Sequence, residues 1–208
     1  MHPTKPHPHP GPPLEGEGAK QGPLGGEREK YGTEVLRLRD ISFADAAALL
    51  ARYGLQLERV ADDAPIPGSY WGECEAGLIG TSVHARGDTP VHSLLHEACH
   101  LIVLPPVRRA AVHTDATDSV EEEDAVCLLQ ALLGDLLPGV GRARVLADMD
   151  AWGYTFRLGS AAAYFERDAE AAWAWLAERG LVDAARKPVL PDAPVGAQLP
   201  GKKHVTAT

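Results

Sequence analysis

Between Pro90 and the Pro105-Pro106 pair runs Val91-His92-Ser93-Leu94-Leu95-His96-Glu97-Ala98-Cys99-His100-Leu101-Ile102-Val103, the stretch that most restricts what this chain can become. Thr89 or Asp88 can cap a helix there, Pro90 suits its first position, and the paired prolines stop it near Val103. Val91, Leu94, Leu95, Ala98, Cys99, Leu101 and Ile102 surround the histidines, which puts at least one imidazole inside the protein. Residues four apart share a helix face, so His96 and His100 present two rings toward one point. Buried rings need partners, and one metal ion would satisfy both.

Glu97 sits one residue round from His96, where its carboxylate can reach a water in the metal's open position. Two ligands and a general base supplied by less than two helical turns are the mechanical content of the H-E-x-x-H pattern, and Zn2+ is the cofactor it implies. A catalytic zinc has three protein ligands plus water. The metzincin spacing would need Gly at 103 and His at 106, where this chain has Val103 and Pro106. The inverted H-x-x-E-H order is absent as well.

The better source of a third ligand is the acidic run Glu121-Glu122-Glu123-Asp124. Ser119 can cap a helix here, with Glu122 three residues on as in a capping box, and the helix should run to about Leu137 before Pro138-Gly139. Val126, Leu129, Leu133 and Leu136 recur at the helical period, and that face extended backward reaches Glu122, the preferred ligand. Glu123 leads the face of Cys127 and Gln130; it stays an alternative, as do Glu121, Asp124 and His113. Carboxylates in a first turn also suit the helix dipole without binding anything.

Elsewhere, Ser42 can cap a helix that ends near Gly54, and residues 61 to 72 read as a loop. Gly77 to Ala85 reads as one strand, closed by Arg86-Gly87-Asp88. Helical signal returns from Arg142 to Met149, an aromatic segment spans Trp152 to Leu158, and a last helix runs from Ser160 or Asp168 to Arg179 with Gly180 as its C-cap. A strand among several helices gives an α+β class, mostly helical, with a small sheet preceding the metal-binding helix. Residues 1–30 are too rich in proline, glycine and histidine to form a core and are expected as a tail, whose His2, His7 and His9 could hold metal weakly. Residues 31–186 are the expected domain, and 187–208 an extended C-terminal tail.

The 208 residues carry a net charge of -9, which argues against nucleic acid as a partner. No stretch is long and apolar enough to be an export signal or a membrane span. The three cysteines, Cys74, Cys99 and Cys127, fit reduced thiols in the cytoplasm. Cys99 points away from the face of His96 and His100 and reads as packing.

His96-Glu97-Ala98-Cys99-His100, with the downstream helix opening Glu121-Glu122-Glu123-Asp124-Ala125 and continuing through Leu128-Leu129 and Leu132-Leu133, resembles the gluzincin class of metallopeptidases, with the ImmA/IrrE family as the nearest flavour. Asp124-Ala125 stands where that family tends to show Glu-Ala, and Leu128-Leu129 where it shows Phe-Ala. Segments between residues 65 and 180, among them Ser69-Tyr70-Trp71-Gly72-Glu73 and Asp148-Met149-Asp150-Ala151-Trp152-Gly153-Tyr154, also resemble an uncharacterised bacterial protein group. The resemblance implies a zincin-like fold, His96, His100 and one glutamate of the third helix as ligands, and Glu97 as base.

Around such a site, strand 78–85 could bind a peptide or protein substrate by its backbone. Tyr154 could point its phenol at a developing oxyanion, and Arg157 could hold a substrate carboxylate or a structural aspartate. Asp148 or Asp150 could orient a ligand histidine, and His92 lies on the face of His96. The expected function is a zinc-dependent hydrolase cleaving amide bonds; the competing reading is a noncatalytic regulatory or interaction protein with a structural zinc.

Overall fold

The computed structural model describes residues 35–191, apart from 71, 73, 115, 117, 118 and 155. The tail expected over 1–30, with His2, His7 and His9, and the C-terminal residues from 192 onward lie outside the described residues, as do Asp115 and Asp118.

A 3-10 turn, Leu38–Asp40, opens the described chain. Helix α1, Phe43–Arg52, starts where Ser42 Oγ accepts the Asp45 N–H. Then come strands β1 (Gln56–Arg59), β2 (Gly77–Ile79) and β3 (Ser82–Ala85). The single strand expected over Gly77 to Ala85 is a hairpin instead. Gly80 has φ +60°, a conformation glycine enters without steric cost, and it folds the segment back on itself. The sheet order is β1-β3-β2, with β1 parallel and β2 antiparallel to β3. Leu78 and Val83, paired across β2 and β3, are both fully buried beneath α2.

Helix α2, Val91–Val103, carries the two histidines. Its expected side-chain cap is absent: Thr89 Oγ1 accepts the Arg86 N–H instead, and Val91 N–H bonds to Leu36 O across a strap in which residues 36–39 run beside 87–91. After the short α3, Pro106–Arg109, comes α4, Val120–Gly134, whose cap Ser119 accepts the Glu122 N–H as expected. Helix α5 spans Arg142–Trp152. The last expected helix is two, α6 (Ala161–Arg167) and α7 (Glu170–Glu178), because Asp168 leaves the helical conformation between them.

The core is built around α2 and α4, which pack along each other; α4 also meets α5 and α7. Beyond Asp124 every residue of α4 is buried, so this helix is surrounded on all sides. The close approach of α5 depends on Gly134, where an added Cβ would lie 2.6 Å from Val145 Cγ2. The described part of the C-terminal stretch is tied down, with Val189 N–H bonding to Leu181 O and the Arg52 guanidinium donating to Pro191 O at 2.8 Å. The result is an α+β arrangement, mostly helical, with a three-stranded sheet preceding the histidine-bearing helix. No helix among the described residues is long and apolar enough to cross a membrane.

Candidate metal centre

One turn of α2 separates His96 from His100, and both rings are turned into the protein, each 2% exposed. They meet edge to face, and their Nε2 atoms are 3.1 Å apart. Along α4, Glu123, Cys127 and Gln130 follow at helical spacing and form a polar ridge that continues into the aliphatic part of the helix. That ridge faces the imidazoles. Glu123 Oε1 is 3.3 Å from His96 Nε2, and its Oε2 is 3.6 Å from His100 Nε2. Cys127 Sγ lies 3.8 Å from Glu123 Oε1, and the donor atoms of His96, Glu123 and Cys127 all fall within 4.8 Å of one another.

Gln130, fully buried, decides which ring nitrogen of His96 is available. The His96 Nδ1–H donates to Gln130 Oε1 at 2.6 Å, so Nε2 carries the lone pair. Burial holds the His96 pKa down at about 4, against the smaller opposite pull of Gln130, so the ring is neutral near pH 7. A lone pair on Nε2 then confronts a carboxylate oxygen at 3.3 Å. Two acceptors that close repel unless a proton or a cation lies between them, and a metal ion is one way to supply it. The spacing suits one: donors about 2.0–2.1 Å from a tetrahedral zinc stand about 3.3 Å from each other.

The carboxylate brought to both imidazoles is thus that of Glu123, where helical phase placed Glu122. Glu122, one residue earlier and so turned by about 100°, is half-buried, and its backbone N–H belongs to the Ser119 cap. Helical phase is hard to read in α4 because beyond Asp124 it is buried on every side: Val126, Leu129 and Leu133 do not mark one buried stripe, and Leu136, used to fix that stripe, is 36% exposed. Gln130 and Cys127 were not singled out as site residues. Their signal was there, three polar residues at i, i+4 and i+7 within a run of leucine and alanine.

Glu97 is the only residue of α2 that is not buried. Tyr154 follows the left-handed C-cap Gly153 of α5, with its ring edge-on to His92 at 5.6 Å and to His96 at 6.0 Å. Burial raises its phenol pKa, with Cys127, Glu75, Glu123 and Glu97 pushing the same way, so the hydroxyl stays a proton donor. His92 is more deeply placed than a plain helix residue: it is 1% exposed, its ring lies 5.3 Å from that of Trp152, and neither nitrogen has a hydrogen-bond partner. Burial, then His96 and Arg37, hold its pKa at about 3. Trp152 Nε1–H donates to Glu75 Oε1 and ties the end of α5 to the segment before β2.

Other expected contributors are engaged elsewhere. Asp148 accepts from Leu36 N–H and pairs with Arg144, and Asp150 accepts the Ala161 N–H. Arg157 pairs with Asp168, a structural aspartate. His113 is exposed, with its ring 2.8 Å from Thr114 Oγ1. Strand 78–85 offers no open edge for a substrate. Its β3 half is central in the sheet, and along β2 the Leu78 N–H bonds to Gly68 O while Leu78 O accepts the Thr114 N–H. Gly80 N–H is likewise taken by Val112 O, and His113 bridges Ile79.

No protein-family model, curated protein or solved structure matches the chain. The site therefore rests on its own geometry: a buried cluster of His, Glu and Cys donors suited to a divalent metal, in either catalytic or structural use.

Proposed function

We propose that this chain is a zinc-dependent hydrolase of the zincin-like, gluzincin type that cleaves amide bonds in peptides, with His96, His100 and Glu123 as metal ligands. The observation that carries the reading is Glu97. In a helix whose every other residue is buried, Glu97 alone is half-buried, between two histidines whose Nε2 atoms converge on a glutamate. A purely structural site has no use for it there.

When bound, zinc would supply Lewis acidity at a carbonyl oxygen and a lowered pKa for water. Glu97 takes a proton from the attacking water and passes it to the leaving amine. Tyr154, held in its protonated form, donates its O–H to the oxygen on which negative charge develops. Gln130 keeps His96 in the tautomer that offers Nε2. Three free thiols suit a reducing compartment, and the cytoplasm is the proposed location.

A structural zinc is the second reading, and one observation favours it: Cys127 lies in one donor group with His96 and Glu123, and His100 Nε2 is 3.6 Å from Glu123 Oε2, so a fourth protein donor is near the site. Incubating the zinc-loaded protein with a peptide library, and reading products by mass spectrometry beside a chelated control, separates the two. Glu97→Gln should keep the parent's zinc content and melting temperature while hydrolysis falls roughly a hundredfold. Cleavage at the parental rate by that variant would remove Glu97 from the chemistry. No cleavage by the fully loaded parent or by fully loaded Cys127→Ala would favour the structural reading.

A further inference from the structure

We propose that Cys127 Sγ is a fourth protein donor to the metal held by His96, His100 and Glu123, closing the site at rest, so that the position needed by water opens only when the sulfur is displaced. This rests on the hydrolase reading and adds a latent state to it.

The placement of the sulfur carries the inference. His96 and His100 are one turn apart on α2, and Glu123 and Cys127 are one turn apart on α4, the helix packed against it. Each helix thus offers an i, i+4 pair of donors to the same point. A thiolate about 2.3 Å from a tetrahedral zinc stands about 3.6 Å from nitrogen or oxygen donors. Cys127 Sγ is 3.8 Å from Glu123 Oε1 and within 4.8 Å of the His96 donor nitrogen. The thiol is 4% exposed and its hydrogen-bond acceptor is the ligand carboxylate itself, so no competing partner holds it away. A bound zinc would replace the thiol proton, which would leave to solvent, and His96, His100, Glu123 and Cys127 would together supply four protein donors, leaving no position for water. Hydrolysis by such a centre would then require the sulfur to leave.

X-ray absorption of the zinc-loaded full chain tests the ligand directly and needs neither substrate nor variant. One sulfur scatterer at about 2.3 Å is expected. The cobalt-loaded parent should show an intense thiolate-to-cobalt charge-transfer band that is lost in Cys127→Ser. Closure is tested by titrating the cobalt-loaded proteins with acetohydroxamate: Cys127→Ser and Cys127→Ala should bind it roughly tenfold more tightly than the parent, or better. A zinc shell of nitrogen and oxygen only, at full occupancy, overturns the proposal and leaves the hydrolase reading standing. Sulfur ligation with unchanged hydroxamate affinity in both variants overturns the latent state. Failure of the parent to take up zinc overturns the reading beneath both.

Discussion

At the scale of single residues, the site depends on groups whose burial leaves them few options. Gln130 is the clearest case. Its amide oxygen is the acceptor for His96 Nδ1–H in a fully buried position, so Gln130→Leu would leave that N–H unpaired and the ring less well oriented. Zinc affinity should fall roughly 10–100-fold, measured by competition with a chromogenic chelator. An unchanged affinity would show that packing alone orients His96. Two of the three buried histidines, His92 and His96, also predict a pH dependence of the metal-free protein. His92 and His96 have folded pKa values of about 3 and about 4, below the 6.5 of an exposed imidazole. The unfolded chain therefore binds protons below about pH 6.5 that the folded chain does not take up until well below pH 5. Stability from this source is present above pH 6.5 and is lost as pH falls toward 4. His92→Phe should flatten the decline of melting temperature between pH 6.5 and 4.5. A slope equal to the parent's would mean that His92 finds a partner in solution.

At the scale of elements, what was legible in the sequence followed from local chemistry, and what was not followed from tertiary packing. Ser42 and Ser119 do cap α1 and α4, because an N-cap needs only its own side chain and a neighbouring N–H. The metal helix ends where its prolines stop it. By contrast, β1 carries exposed and half-buried residues with no alternation to betray it, and its partner β3 lies far along the chain. The β2–β3 turn was hidden because a two-residue connection barely interrupts the pattern. Glu122 and Glu123 are hard to separate by phase for a related reason: a helix buried on all sides has no apolar stripe from which to read it. The same crowding gives a stability prediction at the contact of α4 with α5. Gly134→Ala would gain about 0.5–1 kcal/mol in helix propensity. The new methyl would lie 2.6 Å from Val145 Cγ2 and 3.2 Å from Gly141 O, and overpacking of that kind costs about 1–3 kcal/mol. Net destabilisation by denaturant titration is expected; a more stable variant would show that α5 can move away freely.

At the scale of the whole molecule, a helical core with a small sheet holds two facing helices so that histidines from one meet a glutamate and a cysteine from the other. The sheet sits before the histidine-bearing helix, but its β2 edge is already taken by residues 68 and 112–114, so a substrate would have to approach from another side. The central claim is a single metal ion at this helix crossing, and zinc stoichiometry of the full 208-residue chain tests it most directly. Elemental analysis after reconstitution and gel filtration should find about one zinc per chain in the parent and in Glu122→Ala, and far less in Glu123→Ala and His100→Ala. His2, His7 and His9 are present in all four proteins, so metal held by the N-terminal stretch cannot produce that difference. Full zinc in Glu123→Ala alongside loss in Glu122→Ala would contradict the account.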